Sequence, residues 1–99
     1  MINSYTMKVR LFATLRQVAG AKEVEVDLEG DEPVRHALER LVEIHPNLKD
    51  RVFDEKGGLQ RSVIILLRGR NIRLEKGLDT VLGEGDYLAL FPPVGGGNG

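Results

Sequence analysis

The chain has no cysteine and no tryptophan, and it has only three phenylalanines and two tyrosines. Without cysteine there is no disulfide, no thiolate metal site and no internal thioester, and that usage fits a reducing compartment. No run approaches the ~18 apolar residues of a membrane-spanning helix, and no charged-then-apolar leader opens the sequence. The expectation is a soluble, cytoplasmic monomer with no membrane contact. Neither sign of charge dominates. Fourteen basic against fifteen acidic residues leave a net charge of −1, which argues against nucleic acid as the main partner.

Chemistry-bearing clusters are missing too. Ser4 and Ser62 are the only serines, and neither sits in a nucleophile motif. His36 and His45 stand mostly off one helical face. With no cysteine to join them, no metal site is expected. Asp54-Glu55 lacks the spaced acids of a calcium loop. Gly95, Gly96 and Gly97 precede no helix, so they form no phosphate loop. No catalytic residue and no bound cofactor is expected.

What is present reads as one domain of modest core in 99 residues. Residues 1–6 are polar and patternless, and read as a disordered extension ahead of Met7. From Lys8 to Ala13 polar and apolar residues alternate, the period of a half-buried strand, with Val9, Leu11 and Ala13 inward. A short helical turn or loop ends at Gly20. Glu23 to Leu28 alternates again, with Val24, Val26 and Leu28 inward. A short connection makes antiparallel pairing of these strands the default.

Asp31 is a candidate N-cap, and Pro33 suits a first helical turn. Val34, Ala37, Leu38, Leu41, Val42 and His45 then step by three and four along one stripe. Pro46 stops the helix. Leu48, Val52 and Phe53 can pin a helical turn to the core. Ser62 to Leu67 is apolar nearly throughout and rich in branched residues, as in a central strand. Asn71 to Leu74 reads as a short edge strand, and Tyr87 to Phe91 as the last strand. The layout is α+β, a mixed sheet packed on one main helix. Placing the last strand beside the first gives an arrangement like that of ubiquitin.

Two features stand out. On that sheet Phe12, Ile64, Leu66 and Phe91 fall on the outward face, rimmed by Lys8, Arg10 and Arg68. A contiguous exposed apolar patch marks a partner surface. A register shifted by one residue would instead turn the row inward. The second feature is the ending, Pro92-Pro93-Val94-Gly95-Gly96-Gly97-Asn98-Gly99. The prolines stop the strand. The glycines add nothing to a core, and ordering them costs roughly 1–2 kcal/mol per residue. Such a flexible tail over residues 95–99 either threads its carboxyl end into a channel too narrow for side chains or is a plain glycine linker.

Lys8-Val9-Arg10-Leu11-Phe12-Ala13-Thr14-Leu15-Arg16, Val18-Ala19-Gly20 and Phe91-Pro92-Pro93-Val94-Gly95-Gly96-Gly97 resemble the ubiquitin-like sulfur carriers of the molybdopterin synthase small-subunit family. Residues 52–59 and 68–73 are similar to its archaeal branch, the small archaeal modifier proteins. The resemblance implies a β-grasp domain over residues 7–94. It implies that an ATP-dependent, ubiquitin-activating-like enzyme adenylates the C-terminal glycine, matched here by Gly96 and Gly97. Sulfur attack then gives a thiocarboxylate for molybdopterin or tRNA thiolation, and lysine attack gives an isopeptide bond. Phe12 and Phe91 match positions used against the activating enzyme and the synthase large subunit, and Pro92 and Pro93 belong to the same ending.

The chain would thus be a carrier or modifier and no enzyme, with substrate lysines among its partners. The alternatives are a dedicated synthase subunit and a β-grasp interaction module with an inert tail. Lys56, in a polar turn, is the most accessible candidate for self-modification. The chain departs from the family in continuing to Asn98-Gly99. These residues are trimmed, are an artefact, or make Gly99 an atypical terminus.

Overall fold

The computed structural model describes residues 4–93. Strand β1 (Ser4–Leu11) pairs antiparallel with β2 (Glu23–Glu29), from Ser4 opposite Glu29 to Arg10 opposite Glu23. Alternation sends Met7, Val9 and Leu11 of β1 and Val24, Val26 and Leu28 of β2 into the core. Of the expected disordered extension over residues 1–6, residues 1–3 lie outside the described residues, and Ser4, Tyr5 and Thr6 are strand instead, with Tyr5 packed against the core. The alternating burial of Ser4, Tyr5 and Thr6 continues upstream the strand expected from Lys8.

Helix α1 (Ala13–Ala19) links the two strands and buries Leu15. Ala13 was expected inward, but it is exposed and opens the helix at φ 50°. Phe12 has left the strand as the residue before α1. Gly20 ends α1 at φ 73°, a conformation open to glycine, and its N–H bonds the Arg16 carbonyl.

Helix α2 (Val34–Ile44) buries Val34, Ala37, Leu38 and Leu41, as the three-four spacing predicts. Its start differs from expectation. Pro33 is the N-cap rather than a first-turn residue, and no side chain caps the helix. Asp31 is exposed beyond the end. Glu32 takes over the local polar role, accepting a 2.6 Å hydrogen bond from the Glu29 N–H. A 3-10 turn at Pro46–Leu48 and the one-turn helix α3 (Lys49–Val52) bury Leu48 and Val52, and Phe53 follows them inward.

Strand β3 (Ile64–Leu67) is shorter than the apolar run from Ser62. The edge strand β4 is only Arg70–Asn71, because Ile72–Leu74 turns into a 3-10 segment that buries Ile72. The guanidinium of Arg73 in that segment donates to the carbonyls of Gln60, Arg61 and Val63, holding the approach to β3. Strand β5 (Tyr87–Phe91) lies parallel to β1 and antiparallel to β3. The sheet order is β2-β1-β5-β3-β4. The first and last strands thus run side by side through the sheet centre, with α2 on the inner face. Among the described residues, no helix is long and apolar enough to cross a membrane.

Candidate functional site

The outer face of the sheet is divided by charge and polarity. Along β2, Glu23, Glu25, Asp27 and Glu29 are all exposed. Lys8 and Arg10 of β1 come next, and Arg10 pairs with Glu23 at 3.5 Å. Beyond them β5 and β3 present apolar side chains.

Register builds that apolar part. Ile64 lies opposite Phe91, and Leu66 lies opposite Ala89, which in turn lies beside Arg10. Ile64, Leu66 and Phe91 are partly exposed, whereas Val63, Ile65, Leu67, Leu88 and Leu90 are buried. The alternation therefore has the register that leaves the apolar row outward. Ala89 shares the outward face with Tyr87 and Phe91, yet is only 8% exposed. A methyl group between larger neighbours on both flanking strands is covered by them.

Phe12 joins the row from outside the strand. Its ring stacks on Phe91 with centroids 4.4 Å apart and planes 11° from parallel. The Phe12 N–H bonds the Leu90 carbonyl at 3.2 Å, extending the β1–β5 pairing by one residue past the strand end. The Arg16 guanidinium sits 5.5 Å from the Phe12 ring centre, and its Nε donates to the Leu11 carbonyl. Arg10 lies over Tyr87 at 4.5 Å. Both contacts set a cation against a ring face. Sequence reasoning singled out neither Arg16 nor Tyr87. The four-residue step from Phe12 to Arg16, one helical turn, was the available signal for the first.

The structure thus brings Phe12, Ile64, Leu66, Phe91 and Arg10 together. Arg68 is placed differently. It occupies the β3–β4 turn at φ 54°, and its guanidinium makes a two-pronged pair with Asp86 at 3.0 and 2.6 Å. It is a turn residue with a fixed partner. Pro92 is half-buried and Pro93 exposed. They flank a depression of about 190 Å³ that Leu15, Arg51 and Ser62 also line. Lys56 is exposed in the loop after α3, where the Asp54 carboxylate accepts from the N–H groups of Lys56 and Gly58. Gly96 and Gly97 lie outside the described residues.

Resolved shifts in acidity lie away from this face. Burial opposes ionisation of Glu32, but the Glu29 N–H, His36 and the Arg40 cation outweigh it and hold the carboxyl below the usual range. His36 Nδ1 is 2.7 Å and Arg40 3.1 Å from Glu32 Oε1. Burial, and then the nearby acids Glu32 and Asp31, push the Tyr5 phenol up. Its hydroxyl donates to the Gly30 carbonyl at 3.1 Å. These groups brace the β2–α2 corner. The aromatic face is suited to binding a partner, and it adjoins the point where the chain leaves the sheet.

The chain is similar over most of its length to several known proteins. The ThiS family matches residues 9–97. The small archaeal modifier protein 1 of Haloferax volcanii is 44% identical over 91 residues, covering 92% of this chain and all of the relative. A putative sulfur carrier protein of Archaeoglobus fulgidus is 31% identical over 91 residues, covering 92% of this chain and 98% of the relative. The crystal structure of SAMP1 from Haloferax volcanii superposes with a TM-score of 0.84 at 42% identity, covering 93% of this chain and 99% of that one.

Proposed function

The chain belongs to the ThiS family, and from that premise we propose that it is a ubiquitin-like protein modifier and sulfur carrier acting in the cytoplasm. It is carried through reactions by other proteins rather than catalysing them. The observation that carries the reading is the whole-length similarity to an archaeal modifier protein, joined to an aromatic docking face at the base of the tail.

The reactive group is the carboxyl of Gly97, exposed once Asn98-Gly99 are removed. The family match ending at residue 97 supports that choice. A carboxylate resists attack because it is anionic and resonance-stabilised. An activating enzyme docks on Phe12, Phe91 and their apolar neighbours and joins the carboxylate to the AMP portion of ATP, releasing pyrophosphate. The acyl adenylate has an electrophilic carbon. Sulfide equivalents displace AMP to leave a thiocarboxylate, and a lysine amine displaces AMP to form an isopeptide bond. Gly95, Gly96 and Gly97 give this carbon a lead without side chains, which suits a narrow, water-excluding channel. The molybdopterin synthase large subunit is a further partner for the same face.

Mass spectrometry of protein from the native cell tests this. Expected are a mature chain ending at Gly97, a thiocarboxylate form, and glycine remnants on lysines of other proteins. A stable complex with a synthase large subunit and no lysine-linked product would mark the chain as a dedicated synthase subunit. A mature chain retaining Asn98-Gly99 with neither adduct would overturn the reading.

A further inference from the structure

The two edges of the sheet are unequal. One edge is β4, two residues long and closed by a turn. The other is β2, seven residues long and paired only with β1. In an antiparallel ladder, alternate residues turn both backbone groups towards the partner or away from it. The Lys22 carbonyl accepts from Leu11 on β1, while the Glu29 N–H points off the ladder to the Glu32 carboxylate. By that alternation Glu25 and Asp27 turn their N–H and C=O groups to the open edge. Among the described residues none of these groups has a hydrogen-bond partner beyond the ladder. Glu32 blocks the edge at Glu29, so the free stretch runs from Glu23 to Asp27.

Charge and packing define what fits there. Glu23, Glu25, Asp27 and Glu29 are exposed on the outer face of the strand, and Glu25 and Asp27 form no ion pair among the described residues. A second copy pairing β2 with β2 would set carboxylates against carboxylates, which is unfavourable. On the inner side α2 packs against β2; just ahead of the helix Glu32 meets Glu29, and just beyond it Asn47 bonds the Val18 carbonyl of α1. Ile44 lies one turn beyond Arg40 on α2 and is 52% exposed.

We propose that the open edge of β2 between Glu23 and Asp27 takes up an extended segment of a partner protein in which lysine or arginine alternates with apolar residues. Backbone hydrogen bonds to Glu25 and Asp27 supply the pairing. The cations of the added strand face the carboxylates on the outer side, and its apolar residues turn to the inner side, where α2 packs on β2. The acidic row keeps the edge from pairing with other copies while admitting a strand of opposite charge. This goes beyond the tail chemistry, since none of these residues belongs to the aromatic face or the glycine ending.

The test uses the isotope-labelled full chain and a blocked eight-residue peptide of alternating lysine and valine at low salt. A glutamate-valine peptide is the control. Expected are amide shifts and slowed hydrogen exchange at Glu25 and Asp27, binding that weakens with added salt, and no response to the control. Glu25→Pro removes an edge-facing donor without touching the β1–β2 ladder, so it should leave the fold intact and weaken binding about tenfold. Glu25→Lys with Asp27→Lys should switch preference to the glutamate peptide, and a chain lacking residues 95–99 should bind as the full chain does. Equal binding of both peptides, shifts centred on Phe12 and Phe91, or full affinity in Glu25→Pro would overturn the proposal.

Discussion

The rings of Phe12 and Phe91 stack at 4.4 Å, joining the residue that leaves β1 to the last residue of β5. The pair therefore locks together β1 and β5, the first and last described strands. Stacked aromatic pairs contribute roughly 0.5–1.5 kcal/mol beyond their buried area. In a double-mutant cycle of Phe12→Ala and Phe91→Ala, urea unfolding should give a coupling energy of about 1 kcal/mol. Each single variant should remain folded and lose binding to the proposed activating enzyme by tenfold or more, measured by titration calorimetry. Coupling near zero would mean that the rings act only as separate contacts.

The glycine ending should be dispensable for the fold. A chain stopped after Val94 loses no described strand or helix, so its thermal midpoint should match that of the full chain to within about 2 °C. The same truncation should abolish both thiocarboxylate and lysine conjugates in cells. Normal cellular function of this shortened form would refute the proposed chemistry.

Glu32 should make stability depend on acidity. Its side chain is only 14% exposed and accepts from Glu29, His36 and Arg40. Its folded-state value lies below the ordinary 4.5. A depressed carboxyl stabilises the fold above its unfolded value and loses that contribution as the pH falls through the folded value. Glu32→Gln should thus cost about 1–2 kcal/mol near neutrality. The deficit should shrink steadily below the ordinary value of 4.5 in urea titrations across pH. A deficit unchanged down to strong acid would show that shape, rather than charge, holds the corner.

Arg68 and Asp86 should contribute unequally despite forming one pair. Asp86 also accepts from the Gly83 N–H at 2.8 Å, and its side chain is mostly buried. Removing it in Asp86→Ala should cost about 1–2 kcal/mol. Arg68 is more exposed and sits at φ 54° beside Gly69 at φ 77°, the two-residue turn of a tight hairpin. In Arg68→Gly the relief of left-handed strain should offset the lost surface pair, leaving stability within ~0.5 kcal/mol. Equal losses in both variants, by urea unfolding, would place the energy in the ion pair.

Which parts of this molecule could be read without coordinates follows from distance along the chain. The faces of β1, β2 and α2 were legible because a strand repeats every two residues and a helix every 3.6, so Val9, Val26 and Leu38 announce their sides locally. Boundaries were less legible. Ser4 to Thr6 became strand because β2 offers partners as far as Glu29, and Ile72 to Leu74 left the sheet after Asn71 because Ile72 found the core by a tighter turn. Asp31 looked like a cap by type, but Glu32 is the acid that reaches the free N–H of Glu29.

By itself the sequence determined the alternating faces, the main helix and the side-chain-free ending, since each is a property of neighbouring residues. Only the tertiary structure decided that Phe12 meets Phe91, that Arg68 is tied to Asp86, and that β2 is left with an open edge. Those depend on which strands lie side by side. That choice is made by contacts between residues far apart in the chain, where local periodicity carries no information.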